Sequence, residues 1–225
     1  MAGSVEGIVF DLDGTLCEYS RSGADVLDAA FETVGVEPFF TVDEYYARFE
    51  NHVAENTNIR GIRSDTFAAL AKGVDRDPAI GRAVAEAYAA ERDHSAVQWL
   101  PGAERAIETL GNRYPLAVVT NGGPDMQRQK IAALGIADRF ETVVHAGFDA
   151  PPKPDPTPFD IALQALGVRP GQAVTVGNSL SHDVAGAHNA GLRAVWLDRE
   201  GASEPTPQPD RRIRSMHELL DEPWA

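Results

Sequence analysis

Four short polar clusters carry the side chains that could do chemistry. The first, Asp11-Leu12-Asp13-Gly14-Thr15, holds two carboxylates two residues apart. The second is Thr120-Asn121-Gly122-Gly123, a hydroxyl followed by small and polar residues. The third is Lys153-Pro154. The fourth is Gly177-Asn178-Ser179, with Asp183 five residues past Asn178. Carboxylates, a hydroxyl, an amide and an ammonium suit covalent or acid–base work, and their oxygens suit a hard cation. Taken singly, each cluster is weak, because Asp-x-Asp and Thr-Asn-Gly are common in turns. Four in this order, each just after a strand-like apolar run, are hard to explain as turn chemistry.

The elements that must position them read as follows. Val5–Phe10 is a first strand. Residues 22 to 95 have helical periodicity throughout and nothing that reads as a strand. Leu27, Ala30, Phe31 and Val34 share one helix face. Thr41 and Glu44 form a capping-box pattern before a face of Val42, Tyr45, Tyr46, Phe49 and Val53. Ser64 is expected to cap a helix carrying Phe67, Leu70, Ala71 and Val74. Asp77-Pro78 opens another with Ile80, Val84, Ala87 and Tyr88. From Trp99 strands and helices alternate: strands at 116–120, 142–145, 173–176 and 193–197, helices at 102–111, 125–134, 156–166 and 182–190. Residues 201–209 read as a loop and 215–220 as a short helix. The pattern predicts an α/β fold, a doubly wound parallel sheet with an inserted all-helical cap. The expected division is 1–16 with 96–225 as the core domain and 17–95 as the cap. In such a sheet ligands bind beyond the carboxyl ends of the strands, where all four clusters fall.

Composition narrows the function. Twenty Lys and Arg against 34 Asp and Glu give a net charge of −14, which disfavours nucleic acid and anionic membranes as partners. Only Lys72, Lys130 and Lys153 are lysines. High acidity with scarce lysine resembles proteins of salt-loving organisms, since at ~1 M salt the Debye length is ~3 Å and self-repulsion is screened. A single cysteine, Cys17, allows no internal disulfide. No signal-peptide pattern and no apolar run near the ~20 residues of a membrane helix is read, so a cytoplasmic location is expected.

The quoted motifs, with Val-Val-Thr-Asn, Lys-Pro-Asp and Val-Gly-Asn-Ser-Leu-Ser-His-Asp, resemble those of the haloacid dehalogenase-like (HAD) hydrolase superfamily. The resemblance covers residues 5–16 and about 99–200, and the region between looks like a helical C1 cap. It implies a phosphatase that forms an aspartyl-phosphate on Asp11, with Mg²⁺ as cofactor. It implies Asp11, the Asp13 backbone carbonyl and residue 178 as metal ligands, with Asp183 acting through a metal-bound water or bracing Lys153. Asp13 looks like the general acid and then the base. Thr120, with the backbone N–H groups of Asn121 and Gly122, looks like the phosphate cradle, and Lys153 would pair with Asp11 and the phosphate. The cap is expected to close over the core and read the leaving group.

Residue 178 departs from the usual pattern, being Asn178 where aspartate is commoner. One unit charge pair at ~4 Å is worth up to ~4 kcal/mol at an effective dielectric of ~20, so weaker metal binding, and a taste for Mn²⁺, is expected. The leading expectation is a phosphomonoesterase for a small phosphorylated metabolite such as a phosphoglycolate or sugar phosphate. The alternatives are a phosphomutase, a 2-haloacid dehalogenase, which typically lacks the second aspartate, and a catalytically weakened binding module. The histidines show no metal-ligand spacing, and Cys17 reads as a packing residue. Tyr19, Arg21, Asn56, Asn58, Arg60 and Arg63 are polar positions that could face a substrate. The substrate itself and the oligomeric state are not legible.

Overall fold

The computed structural model describes residues 4–53, 59–201 and 204–224. In chain order the elements are β1 (Gly7–Phe10), β2 (Cys17–Tyr19), α1 (Gly23–Val34), α2 (Val42–Val53), α3 (Ile59–Gly73), α4 (Pro78–Glu91) and β3 (Val97–Trp99). There follow α5 (Ala103–Gly111), β4 (Leu116–Thr120), α6 (Pro124–Leu134), β5 (Thr142–His145), α7 (Thr157–Leu166), β6 (Ala173–Gly177), α8 (Ala185–Asn189), β7 (Arg193–Leu197) and β8 (Arg211–Ile213). The chain divides into two compact units, 1–18 with 97–225, and 19–96.

In the first unit, six parallel strands run in the order β5-β4-β1-β6-β7-β8. β1, β4 and β6 are buried on both faces, which is why they are unbroken apolar runs rather than alternating ones. Alternate residues serve opposite layers. Ile8 and Phe10 pack with Ile107 and Leu110 of α5, and Val9 packs with Phe159 and Leu163 of α7. β1 lies at the centre, with β4 on one side and β6 on the other. The strand order therefore reverses beside it, and the ends of β1, β4 and β6 converge.

Several elements differ from expectation. β2 and β3, which were not expected, form a separate two-stranded sheet on either side of the helical stretch 22–95. β8 adds an edge strand after the proline-rich loop. The expected helix at 182–190 is a π-helical turn, Leu180–Val184, followed by the short α8. The terminal helix is 3₁₀, Met216–Asp221, closed by a Ser215–Glu218 capping box.

The second unit is helical. The Thr41–Glu44 capping box forms, with Glu44 accepting from the Thr41 N–H at 2.8 Å and donating its own N–H to the Thr41 hydroxyl at 3.3 Å. Asp77 caps α4 through the Ala79 N–H. Phe67 sits at the centre of an edge-to-face aromatic core with Phe40, Tyr45 and Tyr88. α3 starts at Ile59, so Ser64 lies inside the helix rather than at its cap. Tyr46 and Val74, expected in the core, are exposed. The side chains of Phe49, Val53, Asn56 and Asn58 lie outside the described residues. Arg63 donates to the Tyr45 hydroxyl and lies over the Tyr88 ring, Tyr19 hydrogen-bonds His94, and Arg21 pairs with Glu91. Among the described residues no helix is long and apolar enough to cross a membrane.

Candidate active site

The site grows from the end of β1. The Asp11 N–H still donates to Val176 of β6, so the carboxylate starts from a fixed backbone. The chain then turns back on itself: the N–H groups of Leu16 and Cys17 both donate to the Leu12 carbonyl. Gly14 makes this possible. Its φ is +75°, and a Cβ there would stand 2.8 Å from the Asn178 amide nitrogen. A side chain at 14 would thus strain the turn and drive Asn178 away.

Lys153 joins three strand ends. Its ammonium donates to Asp11 Oδ1 at 2.8 Å, to Asp183 Oδ1 at 2.6 Å and to the Val119 carbonyl at 2.8 Å. All three charged side chains are buried. Lys153 is itself held by Asn121, whose amide exchanges two hydrogen bonds with the Lys153 backbone. Asp183 spends its second oxygen on the Ser179 N–H at 2.9 Å. A Cβ on Gly177 would lie 2.4 Å from that carboxylate, so the small residue there is what lets Asp183 reach Lys153.

Burial pushes the Asp11 carboxyl up to about 7, with Lys153 pulling it down and Asp183 and Asp13 adding to the rise. Burial works against the Lys153 ammonium too, but Asp11 and Asp183 outweigh it and hold its pKa above the usual lysine range. Asp11 and Asp183 share the single Lys153 ammonium, which leaves that pair short of positive charge.

The second oxygen of Asp11 accepts from the Thr15 hydroxyl at 3.0 Å, and Asn178 Oδ1 lies 3.2 Å from that same hydroxyl. One hydroxyl proton cannot serve both acceptors at once. The carboxylate and the amide thus present surplus hard oxygens to one spot, which fits a hard divalent cation. Among the described residues no group of three or more His, Cys, Asp and Glu forms a metal cluster, so any such site needs the amide and backbone carbonyls.

Asp13 points elsewhere. Its Oδ1 is 2.5 Å from the Lys130 ammonium, and its Oδ2 accepts from the Gln127 amide at 2.7 Å. The same amide donates to the Thr120 hydroxyl at 2.7 Å. Gln127 and Lys130 were not among the expected site residues; the sequence pattern gives only a helix over 125–134. The available signal was the scarcity of lysine, with Lys130 three residues after Gln127. The Gly122 N–H, expected to face a phosphate, donates to the Thr120 hydroxyl at 3.1 Å. Cys17 is buried, and burial pushes its thiol up to about 12, which disfavours the nucleophilic thiolate. His182 is exposed, and His145 and His188 pair with Asp149 and Asp210.

A parallel sheet whose central strand ends in a buried aspartate, braced by a lysine from a neighbouring crossover, defines a class of α/β hydrolase. The family model for haloacid dehalogenase-like hydrolases matches residues 5–191, and the chain belongs to that family. It is 40% identical over 145 residues to the phosphoserine phosphatase of Thermus thermophilus, covering 64% of this chain and 57% of that one. It is 31% identical over 208 residues to the glyceraldehyde 3-phosphate phosphatase of Pyrococcus abyssi, covering 86% of this chain and 81% of that one. Among solved structures, a magnesium-bound HAD-hydrolase of Bacillus subtilis shares the fold, with a TM-score of 0.79 at 21% identity over 99% of this chain and all of that one. The chain thus spans little more than half of the first of these relatives and most of the others.

Proposed function

We propose that the chain is a Mg²⁺-dependent phosphomonoesterase for a small phosphorylated metabolite, working through an aspartyl-phosphate on Asp11. The observation that carries this is the buried Asp11 carboxylate, held between the Lys153 ammonium and the Thr15 hydroxyl. The relatives that act on phosphoserine and glyceraldehyde 3-phosphate support the substrate class.

Asp11 attacks phosphorus as the ester oxygen leaves with a proton from Asp13. A water then gives a proton to Asp13 and attacks phosphorus, freeing phosphate and the Asp11 carboxylate. Lys153 offsets the charge that builds as two anions meet, and Asp183 fixes Lys153 in place. The Thr120 hydroxyl binds a phosphate oxygen. Asp11, the Asp13 carbonyl and Asn178 would hold Mg²⁺ or Mn²⁺, which supplies charge neutralisation and orients the phosphoryl group. With both oxygens engaged by Lys153 and Ser179, Asp183 takes the bracing role.

The test is phosphate release from p-nitrophenyl phosphate in Mg²⁺ and in Mn²⁺, at low and at multimolar salt. Turnover should require the metal. Asp11→Asn should lose about 10³-fold or more in kcat with its fold intact by circular dichroism, because the nucleophile is gone. Background release under all these conditions, or full activity in Asp11→Asn, would sink the reading.

A further inference from the structure

We propose that Gln127 and Lys130 are positioning residues for Asp13, gripping both oxygens of its carboxylate at the place where it exchanges protons. The inference rests on the phosphatase reading above. The exchange itself is balanced in two halves. In the first, the Asp13 O–H breaks and the leaving oxygen gains that proton, while the bond from Asp11 to phosphorus forms and the ester P–O bond breaks. In the second, a water O–H breaks, Asp13 regains the proton, the water oxygen bonds to phosphorus and the Asp11–phosphorus bond breaks.

The geometry singles out one face of one helix. Positions 127 and 130 are three apart on α6 and therefore neighbours. Lys130 takes Oδ1 at 2.5 Å and Gln127 takes Oδ2 at 2.7 Å, so neither oxygen of Asp13 is left to wander. The Asp13 side chain is 44% exposed while that of Lys130 is 3% exposed. The carboxylate stays open to a reactant while the groups that grip it lie beneath. Gln127, itself fully buried, also reaches Thr120, and so ties the proton-transfer group to the phosphate-binding hydroxyl.

Packing does not explain these two residues. Burying an ammonium is costly in lost hydration, and Ile131 already supplies the apolar contact on this stretch of α6. Lysine is used only three times in the chain, and two of the three stand at this site. The Gln127 carbonyl oxygen is buried without a partner, a cost an apolar residue would avoid. Room for the amide is made by Gly122, where a Cβ would fall 1.9 Å from the Gln127 nitrogen.

The test uses aryl phosphates of similar size and graded leaving-group acidity. p-Nitrophenolate leaves with little help, whereas phenolate depends on the proton from Asp13. In Lys130→Met and Gln127→Leu, kcat/KM for phenyl phosphate should fall about 10–100-fold and that for p-nitrophenyl phosphate under about threefold, a share of the about 10²–10⁴-fold that a placed acid supplies. Lys130→Arg, which keeps a cation, should regain part of the loss on phenyl phosphate, and serves as the readout if Lys130→Met fails to fold. In an Asp13→Ala background neither substitution should steepen the leaving-group dependence further. Equal losses on every ester, an unchanged dependence, or a further steepening without Asp13 would each overturn the inference. A wild-type protein that turns over no ester overturns the phosphatase reading and this inference with it. A wild-type protein that turns over the series while the variants keep its slope overturns this inference alone.

Discussion

At the scale of the residue, the site turns on how charge is shared around Asp11. Burial lifts its carboxyl to about 7, so the neutral form is favoured well above the usual carboxylate range unless another cation joins Lys153. A nucleophile must be the anion, and proton and metal compete for the same oxygens. The acid limb of the pH–rate profile should therefore move to lower pH as Mg²⁺ rises. Profiles with p-nitrophenyl phosphate at a low and a high Mg²⁺ concentration measure this. A limb that stays fixed would exclude Asp11 as the group that titrates. The same shift bears on stability in the metal-free protein. A folded-state value raised above the ordinary 3.8 means the fold favours the neutral form. That stabilisation is complete below 3.8 and is lost as pH rises through about 7. Much of this site was legible in sequence, because Asp11, Lys153 and Asp183 each follow a strand in a parallel sheet, and topology alone brings such positions together. Gln127 and Lys130 were not, because they sit within a helix, where a buried amide and lysine leave no mark on the apolar pattern.

At the scale of the element, glycine marks where backbones touch. In the helical unit, Gly81 on α4 faces α3, and a Cβ there would lie 2.2 Å from the Phe67 carbonyl oxygen. Helix propensity alone favours Gly81→Ala by about 1 kcal/mol. The collision is with backbone, which cannot rotate aside, and overpacking of this kind costs about 1–3 kcal/mol. The clash should win, so Gly81→Ala should lower stability, as read from urea unfolding followed by circular dichroism. A stabilised variant would show that α3 and α4 can separate at little cost. The long elements here were readable because their apolar signal is sustained: β1, β4 and β6 as unbroken apolar runs, and α1 and α4 as periodic faces. The three-residue strands β2, β3 and β8 were missed because so short a run has no measurable period and is defined by its partner. Ser64, a good cap by residue type, proved to lie inside α3, which is already helical at Ile59.

At the scale of the whole molecule, the dominant quantity is a net charge of −14 on 225 residues. Such a surplus repels itself in the compact state and less so in the expanded one. At ~0.1 M salt the Debye length is ~10 Å, long enough for neighbouring surface carboxylates to feel one another, and at ~1 M it is ~3 Å. Raising NaCl between these limits should raise the melting temperature. For a chain of about this size, ~1 kcal/mol moves it by ~2–4 °C, so a rise of about 4 °C or more is expected. The control separates screening from any general effect of salt on hydration. Near the sequence pI of about 4.8 the net charge vanishes, and the same increment of NaCl should then do much less. Scanning calorimetry at neutral pH and near pH 4.8 supplies both arms. A melting temperature that is flat in salt at neutral pH, or that rises equally at both pH values, would mean that the acidic surface does not set the stability of this fold.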